Sequence, residues 1–187
     1  ISNPTVQALE EKMAALEGGV AAVAAASGQS ATLVCLLAMC SAGDHILASS
    51  HIYGGTNNLV GVSFEKLGIS HTFVDPGLPY EEIAKHIRPN TKAVLAETLA
   101  NPALSVLDFD KWSRVAKAAG APLIVDNTLA TPWLCRPLAN GADVVIHSTT
   151  KYADGHASSV GGIVVDGGTF DWKKGGRFPG LAEPDES

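Results

Sequence analysis

Asp143-Val144-Val145-Ile146-His147-Ser148-Thr149-Thr150-Lys151-Tyr152 runs from an apolar, β-branched strand into hydroxyl residues and then a single lysine. The small, polar Ala153-Asp154-Gly155-His156 follows it. Upstream, Pro122-Leu123-Ile124-Val125-Asp126-Asn127-Thr128 is a second strand, and it ends in an acid. A lysine just past a strand is usually a solvated loop residue, and Ser-Thr-Thr is often no more than turn chemistry. The pairing of the two strands gives them more meaning. In an open α/β sheet ligands bind beyond the strand ends, and a carboxylate and an amine delivered there by separate strands can grip two ends of one planar molecule.

Outward from these two strands the pattern alternates. Residues 5–16 carry Val6, Leu9, Met13 and Leu16 at helical spacing, and Gly18-Gly19 ends that helix. Residues 20–26 form a short segment of small residues. Ser27 is placed to cap a helix over 31–40 that is apolar nearly all round and is therefore expected to be buried. Strands are predicted at 45–49, 70–74, 92–97 and 161–165, and helices at 57–67, 80–87 and 109–119. The last of these places Trp112, Val115, Ala116 and Ala119 on one face. Strand alternating with helix predicts an α/β fold: a mainly parallel, doubly wound sheet with helices on both faces. No internal repeat or linker divides residues 1–187, which read as one domain. Ile1-Ser2-Asn3-Pro4-Thr5 reads as the entry to a helix and Glu183-Pro184-Asp185-Glu186-Ser187 as a loop, so the chain is expected to be a piece of a longer polypeptide.

Composition narrows the function. With 46% hydrophobic and 17% charged residues, the chain has the makings of a packed core rather than of disorder. A net charge of −6 with scattered Lys and Arg argues against a nucleic-acid partner. Cys35, Cys40 and Cys135 show no Cys-x-x-Cys spacing, and the six histidines are dispersed, so a metal site is not expected. Unpaired thiols fit a reducing, cytoplasmic setting. No apolar run reaches membrane-spanning length and no signal sequence is visible.

The remaining motifs suit a phosphorylated, aromatic cofactor. Ser27-Gly28-Gln29 stands at the mouth of a helix, where free amides and the helix dipole favour a phosphate; Ser148 and Thr150 could add hydroxyls. Tyr53, before Gly54-Gly55, could stack on a flat ring and exchange protons. Asn101, past another strand end, could bond a ring hydroxyl. Asp126 would be costly to bury alone, and a protonated pyridine nitrogen would offset that cost. Lys151 could form a Schiff base and later serve as a general base. Pyridoxal phosphate needs that acid and that amine together.

Taken as a set, Ser148-Thr149-Thr150-Lys151-Tyr152, Val125-Asp126-Asn127-Thr128, Glu97-Thr98-Leu99-Ala100-Asn101-Pro102, Tyr53-Gly54-Gly55-Thr56 and Ser27-Gly28-Gln29 closely resemble the Cys/Met-metabolism family of pyridoxal-phosphate enzymes. The resemblance covers essentially all 187 residues in one order. It implies the large cofactor-binding domain of the aspartate-aminotransferase-type fold (fold type I). It makes Lys151 the Schiff-base lysine, Asp126 the partner of the ring nitrogen, and Tyr53 the stacking residue and candidate acid/base. Ser27, Gly28, Gln29, Ser148 and Thr150 would hold the phosphate, and Asn101 would face the ring hydroxyl. The tail from Thr169-Phe170-Asp171-Trp172 through Gly175-Gly176-Arg177-Phe178-Pro179 to Glu183-Pro184-Asp185 looks like the sulfhydrylase branch. That branch takes an amino-acid substrate, O-acetylhomoserine, and sulfide to homocysteine and acetate; the γ- and β-lyase branches, or a catalytically incomplete fragment or subunit, are the alternatives. The family's Tyr-x-Arg element would fall just before Ile1 and its small domain, with the arginine for the substrate carboxylate, after Ser187; none of Arg88, Arg114, Arg136 or Arg177 matches that arginine. The family builds its sites between subunits, so a homo-oligomer, dimer or tetramer, is implied.

Overall fold

Strands that read as continuous apolar runs are those buried on both faces. Every residue of β2 (His45–Ser49) and β6 (Val144–His147) is buried, as expected where helices cover both sides of a parallel sheet. The computed structural model describes residues 3–182. Together with β1 (Ala21–Ala25), β3 (Ser70–Val74), β4 (Thr91–Glu97), β5 (Leu123–Asp126) and β7 (Gly162–Asp166), these strands form one seven-stranded sheet in the order β1-β7-β6-β5-β4-β2-β3. All strands but β7 run the same way.

Helices flank both faces. On one side α2 (Gly28–Met39) and the helix α3 (Gly54–Asn58), prolonged by a π-helical stretch (Leu59–Phe64), pack Ala31, Cys35, Leu36, Val60 and Phe64 against Ile46, Leu95, Ile124 and Ile146. On the other side α4 (Tyr80–Ala84) and α5 (Phe109–Ala119) cover Val94, Leu123 and Val125, with Trp112 fully buried. There, too, α1 (Pro4–Glu17) sets Met13 and Ala14 on Val145, Ile163 and Val165. Two short helices, α6 (Thr131–Leu134) and α7 (Pro179–Ala182), complete the described elements with two 3-10 turns. Local chemistry sets the helix ends: Asn3 and Asp108 cap α1 and α5 with their side chains, and Gly18 and Gly120 close them in left-handed conformation.

The predicted strands and helix α5 stand where expected, with six corrections. Residues 20–26, read without an element, contain β1; Ala-Ala-Val-Ala-Ala has no contrast between its two faces, so the period of two is invisible. The last strand is antiparallel to both neighbours. Helix α2 starts at Gly28 rather than 31, because Ser27 Oγ accepts from the Ser30 amide at 3.0 Å. It is also not buried all round: Val34 and Leu37 lie on an exposed face. The predicted helix at 57–67 begins earlier, at Gly54, and the one at 80–87 ends as α-helix at Ala84. The predicted helix entry at Ile1-Ser2 and the final loop from Glu183 lie outside the described residues.

Candidate active site

The parallel strands end along one edge of the sheet, and the turns that follow β1, β2, β4, β5 and β6 converge there. Between them lies a cavity of about 290 Å³. Ser27, Gly28, Gln29, Tyr53, Asn101, Asp126, Ser148, Thr150 and Lys151 all line it. Every site residue expected from sequence is thus in one cleft.

One end of the cleft suits an anion. Gly28 and Gln29 are the first residues of α2, so their amides have no partner within the helix. A Cβ on Gly28 would lie 2.5 Å from Ser148 Cβ; glycine is what lets the lysine turn press against the helix mouth and bring the Ser148 hydroxyl beside those amides. Thr150 is less free, since its hydroxyl donates to Gly161 O at 3.2 Å and accepts from Gly161 N at 3.1 Å, closing the base of the lysine loop. Asp154 holds the loop's far side, accepting from Ser158 N at 2.7 Å and the Ser159 hydroxyl at 2.8 Å. Those bonds, the Ser158 amide first, draw its carboxyl down to about 2. Lys151 is exposed on this stapled loop and its amine forms no ion pair among the described residues.

The other end suits a protonated ring nitrogen. Asp126 closes β5 directly beside Glu97, which closes β4. Burial pushes Asp126 up from the ordinary carboxylate range; bonds from the Thr128 hydroxyl and amide, and then the charge of the His147 ring, draw it back. A cation meeting Asp126 in the cleft would complete that compensation. Tyr53 presents its ring over Gly55, where an added Cβ would sit 2.5 Å from Tyr53 Cε1. The donor set therefore fits pyridoxal phosphate: helix amides and a hydroxyl for the phosphate, an amine, a flat ring to stack on, and an acid.

Sequence reading passed over several lining residues. Glu97 is the most consequential. Its Oε1 accepts from Tyr53 N at 2.6 Å and its Oε2 from Asn101 N at 3.0 Å, so one carboxylate holds the turns carrying both residues. Burial first, and then Asp126 beside it, push Glu97 up to about 7. Thr128 is the second: its hydroxyl donates to Asp126 Oδ1 and accepts from Ser148 N at 2.8 Å, joining the acid's turn to the lysine's. Thr128 follows Asp126 by two residues, the spacing of an Asx turn, which is the signal that could have found it. Leu99, Leu129 and Val160 supply apolar lining.

Comparison with known proteins agrees with this geometry. Residues 1–180 match the family model described as Cys/Met metabolism PLP-dependent enzyme. An O-acetyl-L-homoserine sulfhydrylase of Leptospira meyeri is 51% identical over 187 residues, which is 100% of this chain and 42% of that protein. A homocysteine synthase of Schizosaccharomyces pombe is 47% identical over 97% of this chain and 43% of its own length. The chain thus spans less than half the length of the curated relatives it matches. A crystal structure described as an O-acetylhomoserine (thiol)-lyase of Campylobacter jejuni, which carries N'-pyridoxyl-lysine-5'-monophosphate, superposes with a TM-score of 0.91 at 35% identity, over 95% of this chain and 44% of that one.

Proposed function

We propose, since this chain belongs to the Cys/Met-metabolism family of pyridoxal-phosphate-dependent enzymes, that it is the large cofactor-binding domain of an O-acetylhomoserine sulfhydrylase. The protein would replace the γ-acetoxy group of O-acetylhomoserine with sulfide, yielding homocysteine and acetate. The observation that carries this reading is the convergence of Lys151, Asp126, Tyr53 and the Ser27-Gly28-Gln29 turn on one cleft, in a chain half identical to a sulfhydrylase.

In this role Lys151 holds the cofactor and then moves protons at the substrate α and β carbons. Asp126 keeps the ring nitrogen protonated. The bound cofactor supplies an electron sink for charge developing at those carbons. Tyr53 stacks on the ring and exchanges a proton near the leaving group, Asn101 meets the ring hydroxyl, and Ser27, Gly28, Gln29, Ser148 and Thr150 take the phosphate. Exposed apolar side chains occur in the segments that follow the same strands: Trp133 is 90% and Val160 72% exposed, and Leu134 and Tyr152 are exposed as well. Those side chains suit cover by a second copy, and a homo-oligomer is part of the proposal. So is a cytoplasmic setting; among the described residues no helix is long and apolar enough to cross a membrane.

The test is the absorbance of the full-length protein with pyridoxal phosphate, followed by assay. A band near the visible edge, lost in Lys151→Ala, together with homocysteine formed from O-acetylhomoserine and sulfide, is the expected result. Turnover of cystathionine or methionine alone would assign a lyase instead, and no band in wild type would reject the site.

A further inference from the structure

A second polar cluster lies directly behind the cleft. Glu17, at the end of α1, is fully buried, and its Oε1 accepts from His147 Nε2 at 2.6 Å and from Asn127 Nδ2 at 2.8 Å. Asn127 in turn accepts from the Thr98 hydroxyl at 2.8 Å and donates to Cys135 O at 2.9 Å. Each strand-end member is the chain neighbour of a cleft residue: Thr98 follows Glu97, Asn127 follows Asp126, and His147 precedes Ser148. Because successive side chains on a strand point to opposite faces, three strand ends send one residue into the cleft and its chain neighbour into this cluster. Glu17 gathers the backs of β5 and β6 directly and that of β4 through Asn127.

The cluster is poorly arranged as a source of stability. A buried Glu–His pair, even with the histidine protonated, gains little over well-packed apolar side chains, and among the described residues Glu17 Oε2 is buried without a hydrogen-bond partner. Such an oxygen costs free energy on folding. What the cluster does supply is a fixed spacing of three strand ends and, in the His147 ring, a group whose electrostatic influence draws the Asp126 carboxyl down.

We propose that Glu17, through His147 and Asn127, is a positioning residue for the cofactor: it sets where Asp126 stands and how readily that acid stays ionised. The inference rests on the reading of Asp126 and Lys151 given above. The groups around Asp126 are Glu97 on β4, His147 on β6, and Lys151 and Tyr53 across the cleft; Glu17 and, near it, Cys135 complete the set behind the sheet.

The experiment compares full-length wild type with Glu17→Gln, which preserves shape, and His147→Gln, each of which keeps a side chain able to hydrogen-bond. Two quantities are measured: the dissociation constant for pyridoxal phosphate, and the pH midpoint of the bound cofactor's visible band. In both variants the dissociation constant is expected to rise on the order of tenfold. The midpoint is expected to move upward, because an acid less able to stay ionised leaves the ring nitrogen less protonated and the Lys151 linkage then keeps its own proton to higher pH. If either folded variant melts earlier yet keeps the wild-type dissociation constant and midpoint, the cluster is only scaffolding and the proposal is overturned. A wild type with no visible band would overturn the cofactor assignment itself, and this inference with it.

Discussion

The two faces of the sheet at its ligand-binding edge differ in how they treat polar groups. On the cleft face, Ser148, Lys151 and Tyr53 offer groups that the fold leaves free, and Glu97 and Asp126 stand side by side as acids. On the opposite face, Thr98, Asn127, His147 and Glu17 hydrogen-bond to one another and are almost wholly excluded from water, with Glu17 Oε2 left over. The period of two along each strand generates this contrast from adjacent residues. Reactivity requires groups that are not satisfied internally, and precision requires neighbours that are. Here the two demands are met by consecutive residues of the same strands.

The sharpest way to break the contrast is to remove a group from the open face alone. Lys151→Ala is expected to lower turnover on the order of 10³-fold or more and to erase the visible band, while leaving the melting temperature of the cofactor-free protein unchanged, since Lys151 is exposed and contributes no packing. Steady-state assay and a thermal melt check it.

Glu97 belongs to the cleft face but is buried like the cluster behind it, and it titrates accordingly. Its folded value, about 7, lies above its ordinary 4.5, so the folded state binds more protons than the unfolded one between those values. Stability from this group is fully present below about 4.5 and is lost as pH rises through 7. Relative to Glu97→Gln, cofactor-free wild type is expected to lose about 3 kcal/mol across that window, measured by urea unfolding over a pH series. A flat difference would place Glu97 with the satisfied groups instead.

Gly28→Ala tests the anion end. Its Cβ would meet both Cβ and backbone of Ser148, at 2.5 and 2.9 Å, so the lysine turn must move, and a loss of about a hundredfold in turnover is expected. Gly55→Ala is milder. The obstacle is the Tyr53 ring, which can swing aside, so about tenfold is expected, seen mainly in the turnover number if Tyr53 acts in proton transfer.

Much of the open face was legible because reactive residues fall just after apolar runs. Lys151, Asn101 and Tyr53 each follow, and Asp126 ends, a strand whose hydrophobicity is plain, and their common destination follows from parallel strand direction. Glu97 was harder to see: a strand-final Glu before Thr-Leu-Ala looks like a solvated end, and only its two amide partners, 44 and 4 residues away, reveal the bracket. Glu17 left no local trace at all, being one acid on an amphipathic helix with partners 110 and 130 residues distant. The direction of β7 did leave one. Residues 148–161 carry no helical pattern, whereas a parallel return usually needs a crossover helix. Strand β1 was concealed by its own uniformity, five small residues with nothing to mark inside from outside.

The place of β1 in the sheet has a bearing on how the protein is made. Among the described residues its one sheet neighbour is β7, with Ala21 opposite Asp166 and Ala25 opposite Gly162. During synthesis β1 therefore meets this partner only after β7 has left the ribosome, and contacts of such sequence separation form slowly. The Ser27-Gly28-Gln29 mouth and the Glu17 anchor are both attached to that waiting segment. The cleft is accordingly complete only once β7 has been made and β1 has paired with it.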